Sequence, residues 1–204
     1  MDNISEYLKL INKNPTMTLQ PLEGYIGNLK TDFVYATTSN FTHQVLYHSP
    51  RAYLRMKAAA ALKLVAEDLQ RLGYGLRIYD AYRPYSVTQK MWEVVPDNRY
   101  AADPRHGSGH NKGLSVDLTL YDLKTGAALE MPTGFDNFTS KAHQDYTALP
   151  ENVLKNRQLL KKAMERRGFI PLRTEWWHFS YPSLGQRYEL MDLSFSALSA
   201  LTDN

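Results

Sequence analysis

The most regular pattern in the chain follows Ser49-Pro50. From Arg51 to Leu72, apolar residues recur at steps of three or four: Leu54, Ala58, Ala61, Leu62, Val65, Leu69 and Leu72. That is the spacing of one buried helical stripe. Ser49 and Pro50 read as its N-cap and first-turn proline, and Gly73 as its end. The segment Leu76–Asp80 is rich in β-branched and aromatic residues and is predicted as a strand. A shorter helix is expected from about Ser86 to Val95, stopped by Pro96. Residues 96–112 are polar and broken by Gly and Pro, as in a loop. From Leu114 to Leu120 the pattern alternates. Leu114, Val116, Leu118 and Leu120 face one way, and Ser115, Asp117 and Thr119 the other, which predicts a second strand.

Beyond it, residues 122–126 form a turn into a hairpin partner at 127–131, and 132–150 a long loop. A third helix is predicted over 151–167, with Val153, Leu154, Leu159, Leu160, Ala163 and Met164 apolar and Gly168 at its end. A last strand region covers 169–181. Residues 1–48 carry few periodic runs and read as extended, irregular structure wrapped on a core, and 196–204 as a loose tail. Strands separated by helices, with much hairpin and loop, predict an α+β fold: a small, mostly antiparallel sheet with flanking helices.

The 204 residues suffice for one domain with a substantial core, so 1–204 is read as a single domain. Hydrophobic residues at 43% and charged residues at 22% match soluble globular averages. With 24 Lys and Arg against 21 Asp and Glu the formal charge is +3, and no dense basic run appears, so no nucleic-acid partner is expected. No segment approaches the ~20 apolar residues of a membrane span. Asp2, Glu6, Lys9 and Lys13 interrupt the start, which is not a secretory signal. The expected location is the cytoplasm, or the periplasm where a signal has been removed. Cysteine is absent, which rules out a disulfide scaffold, a zinc ribbon and a Cys nucleophile. A transition metal would have to be held by His and carboxylates.

Two segments offer such groups. Ser108-Gly109-His110-Asn111-Lys112-Gly113-Leu114-Ser115-Val116-Asp117 supplies His110 and Asp117, and Glu175-Trp176-Trp177-His178 supplies His178 and Glu175. Two His and one Asp form a zinc-type donor set that leaves a fourth tetrahedral position open. Extended chain between His110 and Asp117 would span over ~20 Å at ~3.3 Å per residue. Both reach one ion only if the loop folds back at Gly113. Glu175 and His178 would point to opposite faces of an ideal strand, so a bend at the Trp pair is expected. Glu175 is then a general base or a fourth ligand. There is no His-Glu-x-x-His, which excludes the common helical metalloprotease site. Trp176 and Trp177 are expected as core and cleft wall, and His43, His48, His106 and His143 have no partner pattern.

These segments resemble the D-alanyl-D-alanine dipeptidases of the VanX type, a zinc D,D-dipeptidase family. So do Tyr79-Asp80-Ala81-Tyr82-Arg83-Pro84, Asp117-Leu118-Thr119-Leu120-Tyr121, Gly134-Phe135-Asp136, Tyr35-Ala36-Thr37 with Asn40-Phe41-Thr42, and the stretch from Asn156-Arg157 to Gly168-Phe169. The likeness runs from about residue 32 to 193. It implies one Zn2+ held by His110, Asp117 and His178, with Glu175 as catalytic base and Arg83 stabilising the transition state. It further implies a substrate contact from Ser108, and Tyr35 and Asp136 at the free amino terminus of a small D,D-dipeptide. One departure is that the segment between Arg83 and His110 is shorter than in the VanX enzymes, which would leave room for longer peptides. Two alternatives follow: a peptidoglycan D,D-carboxypeptidase with the same metal site, or a zinc-stabilised binding module without catalysis. Glu175 and Arg83 speak against the second, since a structural site needs neither.

Overall fold

A computed structural model describes residues 1–98 and 101–202. In chain order it runs α1 (Ile4–Lys13), β1 (Leu19–Pro21), β2 (Leu29–Thr31), β3 (Tyr53–Arg55), α2 (Met56–Gln70), β4 (Tyr74–Asp80), α3 (Tyr85–Val94), β5 (Ser115–Asp122), α4 (Glu151–Arg166), β6 (Ile170–Pro171), β7 (His178–Ser180) and α5 (Phe195–Thr202). The main sheet has the order β2-β4-β5-β7-β6. Only its β2–β4 edge is parallel; the other pairings are antiparallel, as an α+β reading expects. A separate antiparallel pair joins β1 to β3.

The alternating segment became the centre of the sheet. Val116, Leu118 and Leu120 of β5 join Leu76 and Ile78 of β4 in a core closed by Ala58, Leu62, Val65 and Leu69 of α2 and Leu160 and Met164 of α4. Ser115, Asp117 and Thr119, on the other face of β5, are buried as well. The polar face of this strand therefore looks into protein rather than solvent. A second cluster gathers five tyrosines (Tyr7, Tyr35, Tyr47, Tyr53, Tyr82) with aliphatic and aromatic side chains, among them ones from α3 and α5.

Several expectations need correction. The long helix begins at Met56, not Arg51. Tyr53, Leu54 and Arg55 are all buried and pair with β1, a two-sided burial that suits a strand rather than a helical stripe. Ser49 is no cap; it sits in left-handed backbone at φ 48°. The amino-terminal region contains a helix, α1. Asn3 caps it by accepting from the Ser5 amide at 2.8 Å, and its one buried residue, Tyr7, accepts from the Leu19 amide at 2.7 Å. The strand region 169–181 is a hairpin of two short strands, β6 and β7, around the expected bend at the Trp pair. Residues 127–131 contribute one bridge, Tyr121 to Ala128, in place of a strand.

The expected loose tail is α5, whose Phe195 packs edge-on against Tyr47 at 5.0 Å and Tyr82 at 6.1 Å. Residues 203–204 of that tail lie outside the described residues, as do residues 99–100 of the predicted 96–112 loop.

Phe195 is 4% exposed, so Phe195→Ala is expected to cost about 3 kcal/mol of unfolding free energy, read as a lower denaturation midpoint. A loss within ~0.5 kcal/mol, typical of an exposed tail, would show that α5 is not docked.

Candidate metal centre and substrate cleft

The cross-strand register assembles the site. On β5, Asp117 pairs directly with His178 of β7. On the other side of β5 the ladder with β4 slips by one residue at Tyr79, and Asp80 comes opposite Asp117. Such a bulge re-aims side chains; without it Asp80 would point into the apolar core beside Val116. His110 arrives from a short 3-10 turn, His110–Lys112, that reverses at Gly113 with φ 69°. The predicted fold-back is therefore present. A Cβ at Gly113 would also lie 2.6 Å from the Leu19 side chain, so both backbone and space call for glycine there.

The ligand atoms converge. His110 Nε2 lies 3.3 Å from His178 Nδ1 and 3.4 Å from Asp117 Oδ2, and His178 Nδ1 lies 2.8 Å from Asp117 Oδ1. Donors 2.0–2.1 Å from a tetrahedral ion stand about 3.3 Å apart, so this set fits a metal. The tautomers fit too. His110 Nδ1 is 2.7 Å from the Ala81 carbonyl, which can only accept, so Nδ1 carries the proton and Nε2 offers its lone pair. Burial would raise the Asp117 carboxyl, but the facing imidazoles hold it well below the usual carboxylate range. Among the described residues this is the one cluster with three such donors within reach; His43, His48, His106 and His143 stand outside it.

Glu175 is delivered by the bend at the Trp pair. Its amide donates to the Leu172 carbonyl and its own carbonyl accepts from the His178 amide, which turns the chain. The carboxylate comes to 3.9 Å from His178 Nδ1, and burial pushes it up to about 7. Trp176 and Trp177 are both 1% exposed. Trp176 donates to Thr133 Oγ1, and Trp177 forms cleft wall beside Phe138. Arg83 is both ion-paired and in the cleft. Its Nε and Nη2 donate to Asp80 Oδ2 at 2.9 and 2.7 Å, while Tyr47 donates to Asp80 Oδ1 at 2.7 Å. Tyr35 donates to Asp136 at 2.9 Å, and burial raises that carboxyl well above its ordinary value. Asp136 holds a left-handed φ of 56°, a conformation Asp tolerates.

All eight predicted site residues line one cleft of about 210 Å³: Tyr35, Arg83, Ser108, His110, Asp117, Asp136, Glu175 and His178. This is below the ~300–1,000 Å³ of pockets for drug-sized ligands, so it suits a substrate of few heavy atoms. The short segment after Arg83 still walls it, through Asn98, Ala101 and Ala102. A larger groove of about 540 Å³ between α2 and α4 holds no His, and its one carboxylate, Asp68, is already paired with Arg71 and Arg167.

Sequence reasoning missed the residues that hold these groups. Tyr47 has no motif of its own. Asn111, fully buried, accepts from the Ser108 amide and donates to the Arg83 carbonyl and Thr88 Oγ1, tying the His110 turn to the Arg83 segment. Asn111 lies inside the quoted motif, and its adjacency to His110 was the available signal.

Residues 15–196 match the family model described as D-ala-D-ala dipeptidase, Peptidase_M15. The chain belongs to this family. Similar proteins include the D-alanyl-D-alanine dipeptidase of Escherichia coli K12, 35% identical over 89% of this chain and 93% of that one. Another is its namesake from Enterococcus faecalis, 30% identical over 78% and 88%. A third, from Streptomyces coelicolor, is 33% identical over 76% and 87%. A member of this family is a metallopeptidase, and the His110–Asp117–His178 cluster is where this dipeptidase-family chain can hold its metal. No helix among the described residues is long and apolar enough to cross a membrane.

Metal analysis of the purified protein is expected to give about one divalent ion per chain, since three donors leave an open position. His110→Ala combined with His178→Ala should lose it. Full occupancy in that double variant would place the metal elsewhere.

Proposed function

We propose that the chain is a zinc dipeptidase that hydrolyses D-Ala-D-Ala and similar small D,D-dipeptides with a free amino terminus. The position of Glu175 carries the reading. It stands at the edge of the ligand cluster, 3.9 Å from His178 Nδ1, where burial pushes its carboxyl up and a bound cation would draw it back toward the ionised form. A group poised there can both take and return a proton. His110, Asp117 and His178 would hold zinc, which when bound supplies Lewis acidity toward the scissile carbonyl and acidifies a neighbouring water.

Glu175 accepts the proton of the attacking water and delivers it to the leaving amine. Arg83 has five N–H donors, and Asp80 engages its Nε and Nη2. The guanidinium, held in place by that pair, faces the oxygen on which charge develops. Such a contact is typically worth about 3 kcal/mol in the transition state. Asp136, supported by Tyr35, takes the substrate's ammonium. A buried cation needs a carboxylate partner, and an ammonium there would draw the raised Asp136 carboxyl back to its ionised form. Ser108 lies in the same cleft, on the lip that leads to His110, and contacts the substrate there.

The rival D,D-carboxypeptidase reading requires a longer peptide with no amine at Asp136. The small cleft and the Tyr35–Asp136 pair favour the dipeptide. A binding module without catalysis would need neither Glu175 nor Arg83.

Glu175→Ala is expected to keep its metal and lose most turnover, because the proton acceptor is gone while the donor set remains. Arg83→Ala should lower kcat, and kcat/KM by at least as much. Normal kcat with raised KM in the Arg83 variant would reassign that residue to ground-state binding. Metal-replete activity surviving in Glu175→Ala would remove it from the mechanism.

Acetylating the amino terminus of D-Ala-D-Ala removes the charge that Asp136 receives, so cleavage should fall by several orders of magnitude. Asp136→Asn should lose activity on the free dipeptide and discriminate less against the blocked one. Comparable kcat/KM for free and acetylated dipeptide in the wild type would favour the carboxypeptidase reading.

A further inference from the structure

The three ligands are fixed in different ways. Asp117 is held by its place in the middle of the sheet. His110 is held by a backbone carbonyl, that of Ala81, which no substitution removes. His178 alone leans on side chains: its Nε2 lies 3.2 Å from Ser180 Oγ, and Ser180 Oγ lies 2.7 Å from Ser115 Oγ.

We propose that Ser180 and Ser115 are positioning residues that fix the tautomer and aim of His178 and thereby set how tightly the metal is held. The inference rests on the metal reading of His110, Asp117 and His178 given above.

The geometry of the ladder supports it. Ser115 pairs with Ser180 across β5 and β7, two residues along from the Asp117–His178 pair. Side chains two apart on a strand share a face, so a rung of hydroxyls lies directly beside the rung of ligands. The Nδ1 of His178 faces Asp117 and His110, so its lone pair must point there if a metal is to be held. The proton then sits on Nε2, and Ser180 accepts it while sharing a hydrogen bond with Ser115. Were Ser180 to donate to Nε2 instead, the proton would sit on Nδ1 and close the site to a cation.

The same rung also meets the His110 loop. A Cβ at Gly109 would lie 2.0 Å from Ser115 Oγ, so the loop backbone presses directly onto this hydroxyl. Ser115 is fully buried, where an unneeded hydroxyl costs free energy that an alanine would not. Partners of a ligating imidazole's second nitrogen typically tune metal affinity 10–100-fold.

The test is zinc affinity of the full chain, measured by competition with a chromophoric chelator, on metal-free protein shown folded by circular dichroism. Ser180→Ala is expected to weaken zinc binding about 10–100-fold. Ser180→Thr, which restores the hydroxyl, should bind as the wild type does. Ser115→Ala should show a smaller loss, and little further loss when added to Ser180→Ala, because it acts through Ser180. Nitrogen-15 NMR of the zinc-loaded protein should show the His178 Nε2 proton slow to exchange with water in the wild type and fast in Ser180→Ala. Wild-type affinity in Ser180→Ala, or equal losses in the Ala and Thr variants, would overturn the role of the hydroxyl. A wild-type chain that takes up no zinc would overturn the metal reading itself, and the inference with it.

Discussion

One rung of the sheet, Asp80–Asp117–His178 across β4, β5 and β7, decides where every other group at the site can stand. Asp117 and His178 face each other because the strands pair in that register. A slip by one residue would send both into the opposite layer. Asp80 joins the rung only through the bulge at Tyr79, and once there it is fully buried with both carboxylate oxygens occupied by Tyr47, the Ala81 amide and Arg83. Arg83 therefore inherits its position from the sheet, although it belongs to a loop. The His110 turn is fastened to the same frame from two sides, by its ring to Ala81 and through Asn111 to the Arg83 carbonyl.

This arrangement explains why a cleft built from several separate segments can hold a fixed geometry. Groups carried on loops are precise only when backbone bonds or packed side chains remove their freedom. Arg55 does part of this work. Its fully buried guanidinium donates to the Lys112 carbonyl at 3.0 Å and to the Met17 carbonyl, and its backbone amide donates to the Gly113 carbonyl. It has no carboxylate among these partners, and burial lowers its pKa as a result. A cation pays for this desolvation only where its donors are used, and here they pin the turn behind His110.

How much of this was legible in the sequence depends on the range of the interaction. Periodicity located β5, α4 and most of α2, because each carries its apolar residues on one face and polar ones on the other; β4 was legible from its β-branched and aromatic content and α3 from the proline that stops it. Periodicity failed at Tyr53–Arg55, three residues too short and too mixed to show a period of their own. The signal for α1 was present and went unread: Ile4, Tyr7, Leu8 and Ile11 stand at i, i+3, i+4 and i+7 behind the Asn3 cap, whereas α5 docks through little more than Phe195 and Leu198. The ligand set could be read because its chemistry is rare and its members lie in two short segments. The groups behind it could not. Tyr47, Asn111, Ser115 and Ser180 are ordinary residues until strand pairing and loop closure set them against Asp80, Arg83, Ser108 and His178.

Charge balance links the metal to the substrate. Among the described residues, Asp80, Asp117, Asp136 and Glu175 converge on a region whose one guanidinium is Arg83. Fully ionised, the four carboxylates exceed it by three negative charges, which a buried cleft of this size resists. The resistance is visible where it is least compensated: burial raises Glu175 to about 7 and Asp136 well above its ordinary value, while Asp117, facing two imidazoles, stays ionised. A divalent ion at Asp117 would offset two of the three charges and draw Glu175 toward the basic form its proposed role requires. The remaining charge lies at Asp136, away from the ligand cluster, where a substrate's ammonium would offset it. Under the proposed function, the metal and the substrate's ammonium together balance these four carboxylates, the dipeptide's own carboxylate standing outside that sum, so the electrostatics that favour the ion also favour a peptide that brings its own positive end.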